Sequence, residues 1–320
     1  MANNKSRIDV HHHVVPPFFR DALEKNGGDP SGWHIPAWDV KSDQDFSAAH
    51  GIGTCIFSLT APGPDVVEGE AAVRLARQTN EYLASLRDQD PARYGFFAAV
   101  PSLTTNITAA LAEITYALDE LKADGVTLMT RYGEGNQYLG DASFVPVWDL
   151  LDAKGAVVFV HPTHSAGGGT INPHLPQPIV DYPHETTRAA MDMIMSDTLR
   201  AHPRCRVILS HAGGTLPWLA KRAAYGLDHT KLIPKSTTDF LADVRSFYYD
   251  LALSSTAEVI TLLRQFTDPD HILYGSDYPY APTGMISAFV ADLDKAPLDP
   301  DTEHAIDRGN ALKLFPRFGA

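Results

Sequence analysis

The chain has 320 residues, of which 44% are hydrophobic and 20% charged, a composition typical of globular proteins that fold in water. Its 26 lysines and arginines against 39 aspartates and glutamates give a formal charge of −13, which disfavours nucleic acid or an anionic membrane surface as a partner. Two unpaired cysteines, and an N-terminus without an apolar leader-like stretch, favour a cytoplasmic location.

Short apolar, β-rich runs alternate with longer helical patterns along the whole chain. The predicted strands are Arg7–His11, Thr54–Leu59, Tyr94–Val100, Gly125–Met129, Ala156–Val160, Val207–Ser210, Phe247–Asp250 and Ile272–Gly275. The predicted helices are Asp65–Arg87, Ile107–Ala123, Phe144–Ala153, His184–Ala201, Thr215–Tyr225, Thr256–Phe266, Met285–Ala291 and Thr302–Leu314. Near-continuous apolar strands are typical of parallel sheets buried on both faces. Eight such units in a row predict α/β architecture, a single (β/α)₈ TIM barrel domain spanning residues 1–320.

Three connections between predicted elements are unusually long. They cover residues 14–53, 131–143 and 162–183, and they follow strands one, four and five. All three therefore lie on the C-terminal face of the predicted barrel, where the catalytic sites of such barrels form. We expect these elaborated loops to supply substrate contacts.

Metal-binding residue types end four of the predicted strands. They are His11, His13, His161, His211 and Asp277. Side chains alternate along a strand, so His11 and His13 share one face while His12 points to the other. Each of these residues alone could simply be a polar side chain whose hydrogen bonds are made within the protein, or a residue that begins a turn. Together they must converge near the barrel axis, and burying them without a cation would be costly. The sequence therefore predicts a metal site.

The ligand types restrict the metal. Three neutral imidazoles and one carboxylate suit Zn²⁺, and they leave Mn²⁺, Fe²⁺ and Co²⁺ open. Barrel hydrolases that hold two metals usually bridge them with a modified lysine at the end of strand four. Here that strand ends at Met129 to Arg131 without a lysine, and Lys122 precedes it at the opposite end of the barrel. One divalent ion is expected.

The motifs together resemble those of a known superfamily. They read Asp9-x-His11-x-His13, His161-Pro162-Thr163-His164, Ser210-His211-Ala212-Gly213-Gly214 and Gly275-Ser276-Asp277-Tyr278-Pro279. In this order they resemble the amidohydrolase superfamily, within it the decarboxylase branch typified by aminocarboxymuconate semialdehyde decarboxylase. Three further segments are similar to 6-methylsalicylate decarboxylases: residues 59–63, 181–187 and 216–218. The resemblance covers essentially the whole chain.

The resemblance implies a role for each of these residues. His11, His13, His161 and Asp277 would be the metal ligands, and His211 the catalytic histidine beside the metal. A related decarboxylase group has a glutamate in place of the first histidine, and His11 sets this chain apart from it. The implied activity is non-oxidative decarboxylation of a small aromatic hydroxy acid, 6-methylsalicylate or a similar salicylate, by a homodimer. The proton donor is His211 or Asp277, with His211 favoured.

Residues in the long loops and at strand ends are candidates for binding the substrate. Apolar walls for an aromatic ring are expected from Phe18, Trp33, Trp38 and Tyr280. Polar contacts are expected from Thr60, Ser58, Arg131 and His164. Any one of them could equally pack at the rim of the barrel, or lie on the surface in contact with solvent, without touching a substrate. His184 is predicted to begin a helix and to cap it.

Other functions stay open at this point. The same scaffold and ligand set support hydrolysis of a lactone or related ring by a metal-activated water. Within decarboxylation, a pyrimidine carboxylate such as isoorotate also places a carboxylate next to an oxygen. A metal-binding module without catalysis would leave His211 with no role.

Overall fold

A computed structural model describes residues 5–135, 137–167 and 169–319 of the chain; Asn136, Gly168, Ala320 and the first four residues of the polar N-terminus lie outside it. The strands are β1 (Arg7–His13), β2 (Ile52–Ser58), β3 (Tyr94–Ala99), β4 (Gly125–Met129), β5 (Arg131–Tyr132), β6 (Gln137–Tyr138), β7 (Val157–His161), β8 (Arg206–Leu209), β9 (Tyr248–Asp250) and β10 (Ile272–Leu273). Strands β5 and β6 form a small antiparallel hairpin. The other eight run parallel in chain order around one sheet.

The sheet curves round until its last strand meets its first. Val10 N donates to Tyr274 O at 3.1 Å, and Asp277 N donates to His11 O at 2.8 Å. Gly275 permits this approach, because a Cβ at that position would lie only 2.9 Å from Cβ of His11. The predicted (β/α)₈ barrel is confirmed, and the ends of the predicted strands differ from the observed ends by two residues or fewer.

Helices cover the outside of the barrel. They are α1 (Pro17–Lys25), α2 (Val40–Ala49), α3 (Gly69–Gln89), α4 (Ile107–Asp119), α5 (Val145–Lys154), α6 (Gln177–Met195), α7 (Thr198–Ala201), α8 (Leu216–Thr230), α9 (Thr237–Ser246), α10 (Ala257–Phe266), α11 (Thr283–Lys295), α12 (Pro300–His304) and α13 (Asn310–Leu314). Three of them, α1, α2 and α9, were not predicted. Among the described residues no helix is both long and apolar enough to cross a membrane.

The start of α6 corrects one expectation. The helix begins at Gln177, so His184 lies inside it and does not cap it, and the third long connection ends at residue 176. Pro183 misled the prediction, because proline disfavours the interior of a helix and is read as a boundary. Here Pro178 in the first turn is compatible with helix initiation, and the helix continues past Pro183.

The lower half of the barrel interior is apolar. Phe97, Phe159 and Ile208 belong to one buried cluster that also contains Phe315 and Phe318 from the C-terminal segment. Burying an aromatic or large aliphatic side chain of this kind contributes about 1.5–3 kcal/mol. This packing fills the N-terminal end of the barrel and leaves the polar residues at the C-terminal strand ends as the floor of a site.

Candidate metal centre

The structure brings the five predicted residues together at the C-terminal end of the barrel. His11, His13 and His161 offer ligand atoms within 4.8 Å of one another, and so do His11, His211 and Asp277. The two Nε2 atoms of His11 and His13 lie 3.1 Å apart. Asp277 Oδ1 lies 3.5 Å from the first of these nitrogens and 3.2 Å from the second.

Hydrogen bonds fix which nitrogen of each imidazole faces the centre. His11 Nδ1 lies 2.9 Å from Asp250 Oδ2, and His161 Nδ1 lies 2.7 Å from the carbonyl oxygen of the next residue. His13 Nδ1 lies 2.9 Å from Ser58 Oγ, whose hydroxyl donates to a backbone carbonyl of β1. Carboxylate and carbonyl oxygens only accept, so Nδ1 carries the proton in each ring. Three Nε2 lone pairs therefore point at one another, an arrangement that a cation between them stabilises.

The charges around these rings favour a positive charge at the same point. Burial lowers the pKa of His11, but the Asp250 and Asp277 carboxylates outweigh burial and raise that pKa to about 10. Burial and the neighbouring histidines hold the pKa of His161 well below its ordinary value. Burial also opposes ionisation of Asp277, yet the imidazoles of His11, His13 and His211 beside it hold its pKa well below the usual range.

This donor set fits one divalent transition-metal ion. Deprotonated Nε2 atoms from three histidines and one carboxylate match the ligands that Zn²⁺ takes, and the set also accepts Mn²⁺. Each imidazole is oriented from behind by an oxygen acceptor, the arrangement usual for histidines that bind metals.

His211 stands beside the predicted ligands on strained backbone. His211, Ala212 and Asp277 have φ angles of 54°, 56° and 65°, in the left-handed region that side chains other than glycine rarely adopt. His211 N donates to Asp250 Oδ1 at 3.0 Å, which holds the turn in place. Its Nε2 lies 3.5 Å from Asp277 Oδ2, and its Nδ1 has no hydrogen-bond partner in the described part of the chain. Strain of this kind is usually retained at functional sites.

Asp250 is the residue that the sequence analysis missed. It is fully buried at the end of β9, and its carboxylate accepts from His11 Nδ1, His211 N and Ala252 N. Asp250 thereby links a predicted ligand to the predicted catalytic histidine. Its position at the end of a predicted barrel strand, like that of Asp277, was the available signal.

An open cavity of about 770 Å³ lies above the centre. Its floor includes His161, His211 and Asp277. Three predicted substrate contacts, Thr60, Trp33 and Tyr280, also line it.

Two other predicted substrate contacts, Arg131 and His164, line a neighbouring cavity and not this one. Arg131 Nε donates to His164 O at 2.8 Å, and its Nη1 donates to the carbonyl oxygens of Gly133 and Gly135. The guanidinium therefore holds backbone of two loops. Arg131 follows β4 and His164 follows β7. The first cavity is lined mainly by the connection after β1 and by residues in or after β7 to β10, but not by these two residues.

The remaining aromatic candidates, Phe18 and Trp38, pack away from the cavity. Phe18 stacks edge-on against Tyr82, and Trp38 Nε1 donates to Asp43 Oδ2 at 3.1 Å. Their roles in the structure are contacts that fix the first long connection.

His12 points away from the centre, as predicted, into a separate buried network. Its Nδ1 lies 2.9 Å from Asp9 Oδ2 and its Nε2 lies 2.8 Å from Asp43 Oδ2. Burial opposes the charged form, yet the neighbouring acidic groups raise the pKa of His12 well above its ordinary value. Asp9 also accepts from His11 N and Ser276 N. This network therefore connects α2 to the place where the last strand of the barrel meets the first.

Comparison with known proteins places these observations in a family. Residues 8–317 match the Amidohydrolase family model. The 6-methylsalicylic acid decarboxylase of Penicillium expansum is 50% identical over 317 residues, which cover 98% of this chain and 97% of that protein. A crystal structure of an amidohydrolase II superposes with a TM-score of 0.89 at 28% identity, covering 97% of this chain and 100% of the other.

The barrel is also shared with a more distant protein. The dihydroxybenzoic acid decarboxylase of Polaromonas sp. JS666, solved with bound manganese, superposes with a TM-score of 0.79 at 21% identity and covers 97% of each chain. At that identity the likeness concerns the fold. With nearly the whole chain matching the family model, and with a relative at half identity over nearly all of its length, this protein belongs to the amidohydrolase family.

Proposed function

We propose that this chain is a metal-dependent decarboxylase that releases CO₂ from 6-methylsalicylate or a closely similar hydroxybenzoate. The observation that carries the proposal is the convergence of three Nε2 atoms and the Asp277 carboxylate beside His211, on the floor of a cavity of about 770 Å³. The substrate class is supported by the relative from Penicillium expansum, which is named for this activity.

In this proposal, one divalent ion is held by His11, His13, His161 and Asp277. The whole chain is proposed to act as a single domain. When bound, the ion supplies positive charge that neutralises the substrate carboxylate and orients the ring. This charge matters because none of the described residues that line the cavity is a lysine or an arginine. The carboxylate end of the substrate therefore belongs at the floor.

His211 is proposed as the acid that starts the reaction, with Asp277 as the alternative donor. A proton from His211 adds to the ring carbon that bears the carboxylate, which makes that carbon tetrahedral. The bond to the carboxylate then breaks, CO₂ leaves, and the electron pair of that bond restores the aromatic ring. The 3.5 Å separation of His211 Nε2 and Asp277 Oδ2 allows the carboxylate to orient the ring of the acid. General acid catalysis of this kind contributes about 10²–10⁴-fold.

Of the residues predicted to bind the substrate, three are proposed to contact its ring and two to act indirectly. Thr60, Trp33 and Tyr280 contact the ring, because they line the cavity. Arg131 and His164 act less directly: through its bonds to backbone carbonyls, Arg131 shapes the loops beside the cavity.

Three further properties belong to the proposal. Zn²⁺ is the favoured ion, and Mn²⁺ is the alternative, since the Polaromonas protein was solved with manganese. The protein is proposed to be a cytoplasmic homodimer. Trp218 on α8 is an apolar side chain that is 80% exposed and so available for a contact between subunits. Light scattering coupled to gel filtration measures the oligomeric state, and elemental analysis of the purified protein identifies the metal.

A substrate panel tests the proposed activity. Zn²⁺- and Mn²⁺-loaded protein is assayed for CO₂ release from 6-methylsalicylate, other hydroxybenzoates and 5-carboxyuracil, and for acid production from lactones. We expect CO₂ from a salicylate and loss of that CO₂ in the His211→Ala protein at unchanged metal content. CO₂ from 5-carboxyuracil alone would move the substrate to pyrimidine carboxylates. Acid without CO₂ would replace decarboxylation by hydrolysis.

A further inference from the structure

The connection after β1 lines part of the cavity and is joined by hydrogen bonds to two other segments. On one side, Gln177 N at the start of α6 donates to Ser31 O at 3.1 Å. On the other, Trp33 Nε1 donates to the carbonyl oxygen of Tyr280 at 2.9 Å. Asp29, just before these two anchors, lines the cavity, and its Oδ1 accepts from Ser31 N at 2.9 Å. The connection therefore holds an acidic side chain in the wall of the cavity.

No cation balances this acid. The described lining of the cavity contains the carboxylates of Asp29 and Asp277, and neither a lysine nor an arginine. Asp277 faces the predicted metal ligands, whereas Asp29 has no ion pair within the described ranges. Burial raises the pKa of Asp29, as expected for a carboxyl group screened from water without a positive neighbour.

A second polar group in the same cavity is unsatisfied. Tyr280 is only 7% exposed, and its hydroxyl has no hydrogen-bond partner in the parts of the chain that the structure describes. Its ring stands edge-on against His13, with centroids 5.6 Å apart, so the side chain lies directly beside the metal centre. A buried hydroxyl without a partner is unfavourable, and a ligand atom in the cavity would supply the missing hydrogen bond.

We propose that Asp29 and Tyr280 form a specificity subsite that accepts a neutral, hydrogen-bonding substituent of the substrate ring and excludes a second carboxylate. The inference rests on the proposed function, in which the first carboxylate occupies the floor of the cavity. A ring hydroxyl can donate to Asp29 and accept from Tyr280, since a tyrosine hydroxyl does both. A second carboxylate would be desolvated beside the Asp29 carboxylate, and the described cavity lining offers no lysine or arginine to pair with it. The enzyme is therefore selective for monocarboxylates.

Matched pairs of ring compounds test the subsite. Each pair carries either a hydroxyl or a carboxylate at the same ring position of salicylate: 2,3-dihydroxybenzoate with 2-hydroxyisophthalate, 2,4-dihydroxybenzoate with 2-hydroxyterephthalate, and 2,5-dihydroxybenzoate with 4-hydroxyisophthalate. Dissociation constants are measured by calorimetry on metal-loaded protein. We expect the hydroxyl member of at least one pair to bind about tenfold more tightly or better, tenfold being about 1.4 kcal/mol.

Two variants and a control assign the discrimination to the subsite. Asp29→Asn keeps an oxygen that accepts from Ser31 N and removes the negative charge. In the pair that shows the preference, the ratio of the two dissociation constants should therefore fall about tenfold, mainly because the dicarboxylate binds more tightly. Tyr280→Phe should weaken the hydroxyl member alone, by about three- to tenfold. Glu68→Gln removes an exposed acid from the neighbouring cavity and should leave the ratio unchanged.

The outcomes separate this inference from the proposed function. Equal binding within every pair, or a ratio that Asp29→Asn leaves unchanged, overturns the subsite while CO₂ release from 6-methylsalicylate stands. If Glu68→Gln changes the binding ratio within a pair as much as Asp29→Asn does, the subsite is also overturned. The net charge of the protein, and not the position of Asp29, would then be the cause. If the metal-loaded protein neither binds any salicylate nor releases CO₂, the proposed function fails as well.

Discussion

Replacing Asp250 by asparagine should weaken metal binding without unfolding the protein. In the native site, Asp250 Oδ1 accepts from His211 N and Ala252 N, both at 3.0 Å, and Oδ2 accepts from His11 Nδ1 at 2.9 Å. An asparagine can keep its oxygen on the two backbone donors. Its NH₂ group then faces His11 Nδ1, and the ring must accept there. The proton moves to Nε2, which points at the metal centre.

The size of the effect follows from these contacts. Loss of an acceptor that orients a metal-binding histidine typically costs 10- to 100-fold in metal affinity, or about 1.4–2.8 kcal/mol. The two backbone hydrogen bonds survive, so the metal-free protein should lose only the charged contact with His11, about 1.5–3 kcal/mol of its free energy of unfolding. In Asp250→Ala both backbone donors lose their acceptor, and the metal-free protein should lose about 2–6 kcal/mol.

The assay is a competition titration of Zn²⁺ or Mn²⁺ against a chelator, paired with denaturant unfolding of the metal-free protein. Asp9→Asn is the matched control. Asp9 is equally buried, and it too joins an imidazole to backbone donors, but its partner His12 points away from the centre. The control should lose clearly less metal affinity than Asp250→Asn. Metal binding by Asp250→Asn within twofold of the wild type would refute the proposed orientation of His11.

Three further substitutions probe separate parts of the account. His211→Ala should retain metal by elemental analysis and lose about 10²–10⁴-fold in kcat; loss of metal would reassign His211 as a ligand. Gly214→Ala should destabilise the fold by about 3 kcal/mol or more in thermal unfolding, because φ is 64° and the new Cβ would lie 1.8 Å from Pro183 O; an unchanged melting temperature would contradict this. Asp307→Ala should cost about 3 kcal/mol in denaturant unfolding, since it removes a 2.8 Å partner from the buried Arg7 guanidinium. Arg7 begins β1 at the end of the barrel opposite the site, so turnover per folded molecule should not change.

The barrel was predictable from sequence because its strands are buried on both faces and read as continuous apolar runs. The residues of the centre were predictable for a related reason: His11, His161 and Asp277 each interrupt such a run, or follow it, at the same end. The helices α1 and α2 were not recognised, because they lie in a long polar connection. The start of α6 was hidden by Pro183, which the helix accommodates.

Side-chain direction was less predictable than position along the chain. Arg131 follows a barrel strand on the correct face, but local carbonyl oxygens hold its guanidinium over the neighbouring cavity. Asp250 was overlooked because a single aspartate after two tyrosines is equally typical of a turn; only the folded barrel shows that it faces His11. Asp29 lies in a connection of some forty residues, and its place in the wall of the cavity depends on hydrogen bonds that join distant segments.

The most direct test of the central claim is a reconstitution experiment with carboxyl-labelled 6-methylsalicylate. The purified protein is stripped of metal with a chelator, then assayed for labelled CO₂ before and after addition of one equivalent of Zn²⁺ or Mn²⁺ per chain. We expect no CO₂ above the protein-free background in the stripped sample, and restored release that saturates at one equivalent. Equal release from stripped and reconstituted protein, or none from either, would contradict a metal-dependent decarboxylase at this site.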